Sequence, residues 1–306
     1  MLNNASASLI LLTLLAPPTV HGTETLGPPK GTLLLVGGGG HALHQRRILA
    51  RFVELAGGPK ARIAVVPTAI SSSRAHDYSR DGIANRIRSH HQVQQVTIVH
   101  THDRTVADSR AFVRPIARAT GVWFSGGRQW RLTKAYLGTR AEKAFHDVLA
   151  RGGVIGGSSA GATIAGSFLA RGDTRGNTVM IGDVQQGFGF IQNVAIDQHI
   201  VPRRRELDMI RLLEDPMRRM KPQFDRASLL GLGIDEDTAI VVRGNRLEVI
   251  GKPDGQVFVY DPRTWTTTTP DLKKYTTLGH GTRYDLKRRQ PLETPVVKPS
   301  ADQAPK

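Results

Sequence analysis

Short apolar runs alternate with longer segments of helical spacing along the first half of the chain. Five runs are typical of buried strands and lie at 32–36, 62–66, 93–100, 121–124 and 153–156. The segments that follow them predict helices at 45–55, 77–89, 106–119, 134–151 and 160–169. Because strands that are apolar on both faces and separated by helices form parallel sheets covered on both sides, the pattern predicts a doubly wound, mostly parallel α/β fold.

The pattern changes after Leu230, where the apolar runs become shorter and closer together. Three short strands are predicted at 239–242, 247–250 and 257–260, and the turns between them indicate antiparallel hairpins at the edge of the sheet. From about Arg263 the chain is rich in Thr, Pro and Lys. We therefore expect one α/β domain over 23–262 and a polar, basic extension over 263–306, disordered beyond Gln290.

The first 22 residues contain no Lys, Arg, Asp or Glu and include an apolar run from Ala7 to Ala16. Such a run, about ten residues long, is too short to span a bilayer but suits the core of a signal peptide. We expect cleavage after Gly22 and export to the periplasm or the extracellular space. The alternative is a disordered or mis-started N-terminus. No other segment reaches the ~18 apolar residues of a membrane helix, so no stable membrane insertion is expected.

Composition and charge narrow the class of protein further. Of the 306 residues, 39% are hydrophobic and 22% charged, which excludes a disordered chain, a collagen and a polytopic membrane protein. The chain has no Cys, so a thiolate zinc site and a cysteine nucleophile are excluded. The formal charge of +16 favours an anionic partner. No aromatic-basic recognition motif accompanies that charge, so nucleic acid is the weaker hypothesis.

The segment after the fifth predicted strand contains the pattern Gly157-x-Ser159-x-Gly161 and precedes a predicted helix. A serine on a tight turn between strand and helix needs small neighbours, because the backbone there is strained and closely packed. The helix N-terminus places amide hydrogens where an oxyanion would form. Ser159 is therefore the candidate nucleophile. The alternative is a glycine-rich turn that serves packing alone.

A serine nucleophile needs a base, and His199 is the candidate among the 11 histidines. It follows the apolar run Val194–Ile196, at the end of a strand, where the sites of parallel sheets cluster. The alternative is a hydrogen-bonded loop histidine. The pair His100-x-His102 imitates a metal site but lacks a third ligand. No metal and no organic cofactor is expected.

Other polar residues are predicted at the same sheet edge. Gly126-Gly127-Arg128-Gln129 follows the fourth strand and would present backbone amides and the Gln129 side chain to the nucleophile. Asp197 and Gln198 flank the base, and Arg203 to Arg205 open a predicted helix suited to bind a carboxylate. The alternative for those arginines is a solvated basic helix face.

A second glycine-rich loop, Gly37-x-Gly39-x-x-Ala42, matches the dinucleotide fingerprint after the first strand. That fingerprint requires an acid at the end of the second strand, to bind the ribose hydroxyls. Here the second strand ends in Val66-Pro67-Thr68 without an acid. The match is therefore weak.

With Gly-Gly-x-Ser-Ala-Gly-Ala, Gly-Gly-x-Gln and Asp-Gln-His in one chain, the sequence resembles the cyanophycinase family of serine peptidases, related to the aspartyl dipeptidases. The resemblance covers roughly residues 30 to 262 and extends to the segment Gly231–Ala239. It implies a flavodoxin-like fold related to class I glutamine amidotransferases, a cyanophycin-like peptide substrate and a homodimer. Cyanophycin is a polyaspartate that carries arginine on each side-chain carboxyl.

The resemblance also implies roles for individual residues. Ser159 is the nucleophile and His199 the base, with Asp173 as the best match for the triad acid and Asp183 as the second choice. Oxyanion-hole amides would come from Gly127 and Ala160. Substrate-binding positions fall on Gln129, Asp197, Gln198, Arg203 and Arg205.

Two positions depart from the pattern of the family. Arg128 stands where the family has Asp, and a family arginine of the base helix falls on Asp208. These changes leave peptidase chemistry intact but bring the cyanophycin substrate into question. The alternatives are an aspartyl or isoaspartyl dipeptidase and a catalytically inactive, amidotransferase-like binding protein.

Overall fold

The computed structural model describes residues 25–71, 73 and 77–293. The predicted signal peptide and the end of the predicted disordered tail lie outside these residues, so export stays a prediction. Within the described residues, no helix is both long enough and apolar enough to cross a membrane.

The described residues form fourteen strands and eight α-helices. The strands are β1 Thr32–Val36, β2 Arg62–Val66, β3 Gln95–Ile98, β4 Gly121–Phe124, β5 Val154–Ser158, β6 Gly166–Phe168, β7 Ile191–Gln198, β8 Leu230–Ile234, β9 Thr238–Arg243, β10 Arg246–Gly251, β11 Gln256–Tyr260, β12 Thr276–Gly279, β13 Arg283–Asp285 and β14 Gln290–Pro291. The helices are α1 Ala42–Leu55, α2 Gly82–His90, α3 Arg104–Ala107, α4 Arg110–Arg118, α5 Gln129–Tyr136, α6 Arg140–Ala150, α7 Ala160–Thr163 and α8 Asp208–Leu213.

The larger sheet has nine strands in the order β14-β13-β10-β9-β1-β5-β4-β2-β3. Its five strands from β1 to β3 are parallel, and those from β9 to β14 are antiparallel. The central strands β1, β2 and β4 are almost wholly buried, because helices cover both faces of the sheet. This confirms the predicted α/β class and its antiparallel edge.

A second sheet of five strands, in the order β12-β11-β8-β7-β6, was not predicted. The strand β11 was expected to form an antiparallel hairpin with β10, but it pairs with β8 in the second sheet. β7 and β8 are parallel and end side by side. Residues 263–293 add strands to both sheets through β12, β13 and β14.

Three predicted helices are shorter than expected. The helix predicted at 160–169 ends at Thr163, because the next residues form β6 and pair with β7. The helix predicted at 106–119 divides at Ser109, whose side chain accepts the amide of Phe112 and starts α4. The one predicted at 134–151 divides at Gly138, which has a φ of 75° that helices do not allow.

The ends of four strands from the two sheets meet at one place. The amide of Ser159, after β5, donates to the carbonyl of Val36 at the end of β1 (2.9 Å). The amide of His199, after β7, donates to the carbonyl of Gly37 (3.0 Å). The loop after β1 thus joins the ends of β5 and β7, and β8 ends beside β7. This junction holds the candidate site.

Candidate active site

Ser159 lies on the turn between β5 and α7, in a strained backbone conformation with φ 56° and ψ −116°. Such angles are rare for a residue with a side chain and cost of order 1–3 kcal/mol. The turn closes tightly, because a Cβ on Gly161 would collide with the carbonyl oxygen of Phe124. This is the geometry that presents a serine hydroxyl above the carboxyl edge of a sheet.

His199 stands directly opposite this serine. Its Nε2 lies 2.9 Å from Ser159 Oγ, within hydrogen-bond distance. The loop after β1 packs on the imidazole so closely that a Cβ on Gly38, which has a φ of 108°, would collide with the ring. The structure therefore brings together the predicted nucleophile and the predicted base, and the glycine at position 38 leaves room for the imidazole.

Glu236 completes the line of contacts from the other side of the imidazole. Its Oε1 lies 2.5 Å from His199 Nδ1, and the residue follows β8, the parallel neighbour of β7. A carboxylate accepts a hydrogen from Nδ1–H, so Nε2 is left free of hydrogen and can accept the serine proton. Ser159, His199 and Glu236 thus have the arrangement of a Ser-His-acid triad.

The structure corrects the expected triad acid. The carboxylate of Asp173 accepts the amide of Arg175 at 2.8 Å and lies 3.4 Å from its guanidinium. Asp183, the second choice, accepts from the amide and hydroxyl of Thr174. Both acids stabilise the loop after β6, whereas the position at His199 Nδ1 belongs to Glu236. Proximity in sequence to the nucleophile was a poor guide, because the acid reaches the site on a strand of the second sheet.

Burial lowers the pKa of His199 below its ordinary 6.5. The hydrogen bond and charge of Glu236 act in the opposite direction, while the positive charges of Arg203 and Arg205 lower the pKa further. A base must be neutral to accept a proton. His199 therefore stays competent as a base at a lower pH than an ordinary histidine.

This shift predicts the pH dependence of turnover. With His199 as the base, kcat/KM rises with pH, and the midpoint of the rise lies below 6.5. Replacing Arg203 by Ala removes a positive charge that disfavours the imidazolium, so the midpoint moves to higher pH. The neighbouring Arg204→Ala is the matched control, with an unchanged midpoint. Profiles of kcat/KM against pH at low salt make the comparison, and equal midpoints for the two variants would contradict it.

The two residues expected to supply oxyanion-hole amides lie on turns near the nucleophile. Ala160 follows Ser159 directly, and a Cβ on Gly126 would lie 3.9 Å from Ser159 Oγ, which places the Gly126-Gly127 turn beside it. Within the described residues, neither Gly127 nor Ala160 donates its amide hydrogen to a protein acceptor. Because α7 has only four residues, an oxyanion here would depend on individual amides rather than on a long helix dipole. The role of Gly127 and Ala160 stays a prediction.

Three of the expected substrate-binding side chains are occupied by the protein itself. Gln129 is 2% exposed and donates its amide to the carbonyls of Ala170 and Arg171, each at 2.8 Å. Asp197 is fully buried and accepts two hydrogen bonds from Arg171. Gln198 is also buried, and its side-chain Oε1 accepts from Arg205 Nη1 at 3.4 Å. All three residues thus have partners within the chain, and their expected role in substrate binding stays a prediction.

The two expected arginines differ from each other. Arg203 is exposed, whereas Arg205 is buried beneath the turn that precedes α8. Both lie on a turn, since α8 begins only at Asp208 and not at Arg203 as predicted. Burial and the neighbouring charge of Arg171 lower the pKa of Arg205 to about 10, so it remains a cation at neutral pH. The expected role of the two arginines in binding a substrate carboxylate stays a prediction.

The histidine pair that imitates a metal site has other partners. His100 Nδ1 lies 2.9 Å from Thr68 Oγ1, and His102 Nε2 lies 2.7 Å from the carbonyl of Ser71. In the described part of the chain, no group of three or more His, Asp or Glu side chains is arranged to hold a metal ion.

Sequence reasoning missed two residues of the site. Glu236 is the middle one of three consecutive acids that follow the buried strand β8. His199 likewise follows the end of a strand, β7. The signal was therefore present but needed the pairing of β7 with β8 to be recognised. Arg171 binds Asp197 from a loop, and no pattern in the sequence singles it out.

A parallel sheet whose carboxyl edge presents a strained serine, a histidine at hydrogen-bond distance and an acid behind it is typical of serine hydrolases, the class that includes the serine-type peptidases. Residues 33–250 match the family described as Peptidase family S51. The match covers more than half of the chain, and the chain belongs to that family.

Several relatives of known name are similar over most of the chain. A cyanophycinase of Geminocystis herdmanii (strain PCC 6308) is 30% identical over 277 residues, which cover 86% of this chain and 96% of the relative. A cyanophycinase of Nostoc sp. (strain PCC 7120 / SAG 25.82 / UTEX 2576) is 32% identical over 244 residues, covering 78% and 76%. These matches confirm the resemblance seen in the sequence.

The fold also matches a solved structure. The crystal structure of a peptidase from an acI-B1 Actinobacterium superposes with a TM-score of 0.61 over 85% of this chain and 98% of that one. At 22% identity the likeness concerns the fold.

Proposed function

We propose that this peptidase hydrolyses β-aspartyl peptides, either cyanophycin or smaller isoaspartyl peptides, through an acyl-enzyme. The observation that carries the proposal is the continuous contact from Ser159 Oγ through the His199 imidazole to the Glu236 carboxylate. The names of the relatives support the choice of a β-aspartyl substrate.

We assign a residue to each step of the reaction. His199 Nε2 takes the proton of Ser159 as Oγ attacks the scissile carbonyl carbon, while Glu236 stabilises the imidazolium. The resulting oxyanion accepts hydrogen bonds from the amides of Gly127 and Ala160. The imidazolium then gives its proton to the leaving amine, and the C–N bond breaks. Water, deprotonated by His199, releases the acyl group and restores the serine.

Arg205 supports a substrate that carries a carboxylate near the scissile bond. Its Nη1 donates to the carbonyl of Gln198, and it lies 3.8 Å from Asp197 Oδ1. Asp197 is already paired with Arg171, so the charge of Arg205 is only partly neutralised. An aspartyl residue that is linked through its side chain alone, as in an isoaspartyl dipeptide, keeps its α-carboxylate free, and Arg205 provides a cation for such a group.

The test is an assay of the purified full chain against two kinds of substrate. Insoluble cyanophycin and a panel of isoaspartyl dipeptides are incubated separately with wild type and with Ser159→Ala, and the products are followed by mass spectrometry. Release of β-Asp-Arg from the polymer by wild type alone assigns cyanophycin as the substrate. Cleavage of dipeptides alone assigns the dipeptidase alternative. No hydrolysis of any member, together with inertness to serine-directed reagents, would overturn the proposal in favour of a binding protein.

A further inference from the structure

Arg171 is the most completely hydrogen-bonded cation near the site. It is 2% exposed, and its backbone φ of 56° turns the loop after β6 inward. The Nε and Nη2 atoms donate to the two oxygens of Asp197 at 2.7 and 2.8 Å. Nη2 also donates to Asp208 Oδ2 at 2.6 Å, and Nη1 donates to the carbonyls of Asn177 and Thr178 at 3.1 and 3.4 Å. All five donors of the guanidinium are thus used.

The two acids around this guanidinium belong to different elements. Asp197 lies near the end of β7, two residues before His199, and Asp208 is the first residue of α8. Arg171 reaches both acids from the loop after β6. The arrangement is therefore a pair of carboxylates with a guanidinium inserted between them by a third segment of the chain.

This acidic pair adjoins the catalytic residues through Arg205. The guanidinium of Arg205 lies 3.8 Å from Asp197 Oδ1, and its charge acts on the His199 imidazole. Asp197 is also only two residues before His199, so a ligand group bound at the acidic pair would contact the strand that leads to the base. With Arg171 in place, that position is filled by the protein's own cation, and the nearest cation left for a ligand is Arg205.

We propose that Arg171 is a specificity-determining residue, which fills an acidic subsite beside the base and so excludes the guanidinium group of an arginyl substrate from it. The inference rests on the proposed function and narrows its substrate class. A substrate side chain that is neutral or acidic needs no anionic partner there. An arginyl side chain does need one, but both carboxylates already bind Arg171. Wild type should therefore have no preference for arginine over a neutral isostere of the same shape.

The activity test compares β-Asp-Arg with β-Asp-citrulline, because citrulline keeps the shape of arginine and lacks its charge. For wild type, kcat/KM for the arginyl peptide should not exceed that for the citrullyl peptide. In Arg171→Ala, Asp197 loses both hydrogen bonds from that guanidinium and Asp208 keeps its pair with Arg211 (2.9 Å), so the ratio should shift toward the arginyl peptide by about tenfold or more. An unchanged ratio in the variant would overturn the proposal, as would a wild type that already favours arginine tenfold.

The matched control is Arg175→Ala. Arg175 lies on the same loop and carries the same charge, but its side chain is 87% exposed. Loss of a positive charge in general would change both variants alike. A change in the ratio of kcat/KM values that is seen only in Arg171→Ala is therefore evidence for the subsite. Equal changes in both variants would contradict it.

A binding measurement tests the same idea without turnover. Millimolar methylguanidinium should raise the thermal unfolding midpoint of Arg171→Ala by several degrees, with saturation, because a ligand that binds only the folded state stabilises it. Methylammonium should have less effect, and wild type and Arg175→Ala should show none. If Arg171→Ala does not fold, Arg171→Gln replaces it, since the shorter amide keeps one hydrogen bond and leaves room for the guanidinium.

The two proposals fail in different ways. Absence of hydrolysis on every substrate with a saturable methylguanidinium effect would overturn the proposed function and keep the subsite. Hydrolysis without any methylguanidinium effect on the variant would keep the function and overturn the subsite.

Discussion

Replacement of Ser159 by Ala is expected to lower kcat at least about 10⁴-fold, because no other group then forms the acyl-enzyme and only binding and the oxyanion amides remain. His199→Ala should lower it about as much, since residues that act as a unit are not additive. Single-turnover and steady-state assays of the cleaved β-aspartyl substrate measure both effects.

The adjoining Ser158 provides the matched control. Ser158 ends β5, whereas the hydroxyl within 2.9 Å of His199 belongs to Ser159. Ser158→Ala should keep nearly full activity. The unfolding midpoints should be similar among these variants, because Ala at 159 must adopt the same strained φ as Ser does. Substantial turnover by Ser159→Ala would exclude it as the nucleophile.

Replacement of Glu236 by Gln is expected to lower kcat by about 10²–10⁴-fold, the range expected when a triad acid loses its charge. The Gln amide can donate a hydrogen to Nδ1, which favours the tautomer with hydrogen on Nε2, and that nitrogen then cannot accept the serine proton. The carboxylate also raises the pKa of His199, so the acid limb of the pH profile should move to lower pH in the variant. Both effects follow from steady-state kinetics across pH.

Asp173→Asn is the comparison that decides which acid serves the base. The carboxylate of Asp173 is held by the amide and guanidinium of Arg175, so its loss should change stability more than kcat. A loss of kcat in Asp173→Asn as large as that in Glu236→Gln, at equal unfolding midpoints, would restore Asp173 as the triad acid.

The strongest agreement between sequence and structure concerns residues at the ends of β5 and β7. Ser159 and His199 could be singled out because each follows a buried strand of the chain, and the carboxyl ends of parallel strands meet at one edge. The backbone at Ser159 then followed from its glycine neighbours, which leave room for the turn. These are local consequences of the sequence.

Several disagreements involve contacts between distant segments. Helix propensity predicted one helix over 160–169, but Gly166–Phe168 gains a parallel partner in β7 and becomes a strand. Gln129 and Asp197 are polar residues at the expected edge, yet their hydrogen bonds go to the loop after β6 and not outward. A polar side chain in a sequence does not reveal whether its partner is a substrate or another part of the chain.

The amino-acid sequence by itself therefore determined the α/β class, the strand ends that carry chemistry and the pair of Ser159 with His199. The tertiary structure alone decided that Glu236 is the acid behind the base, because a second sheet brings the end of β8 beside β7. It also decided that Arg171 fills the space between Asp197 and Asp208. Local periodicity records which residues are buried, whereas the pairing of charges depends on which distant segments the packing of the two sheets brings together.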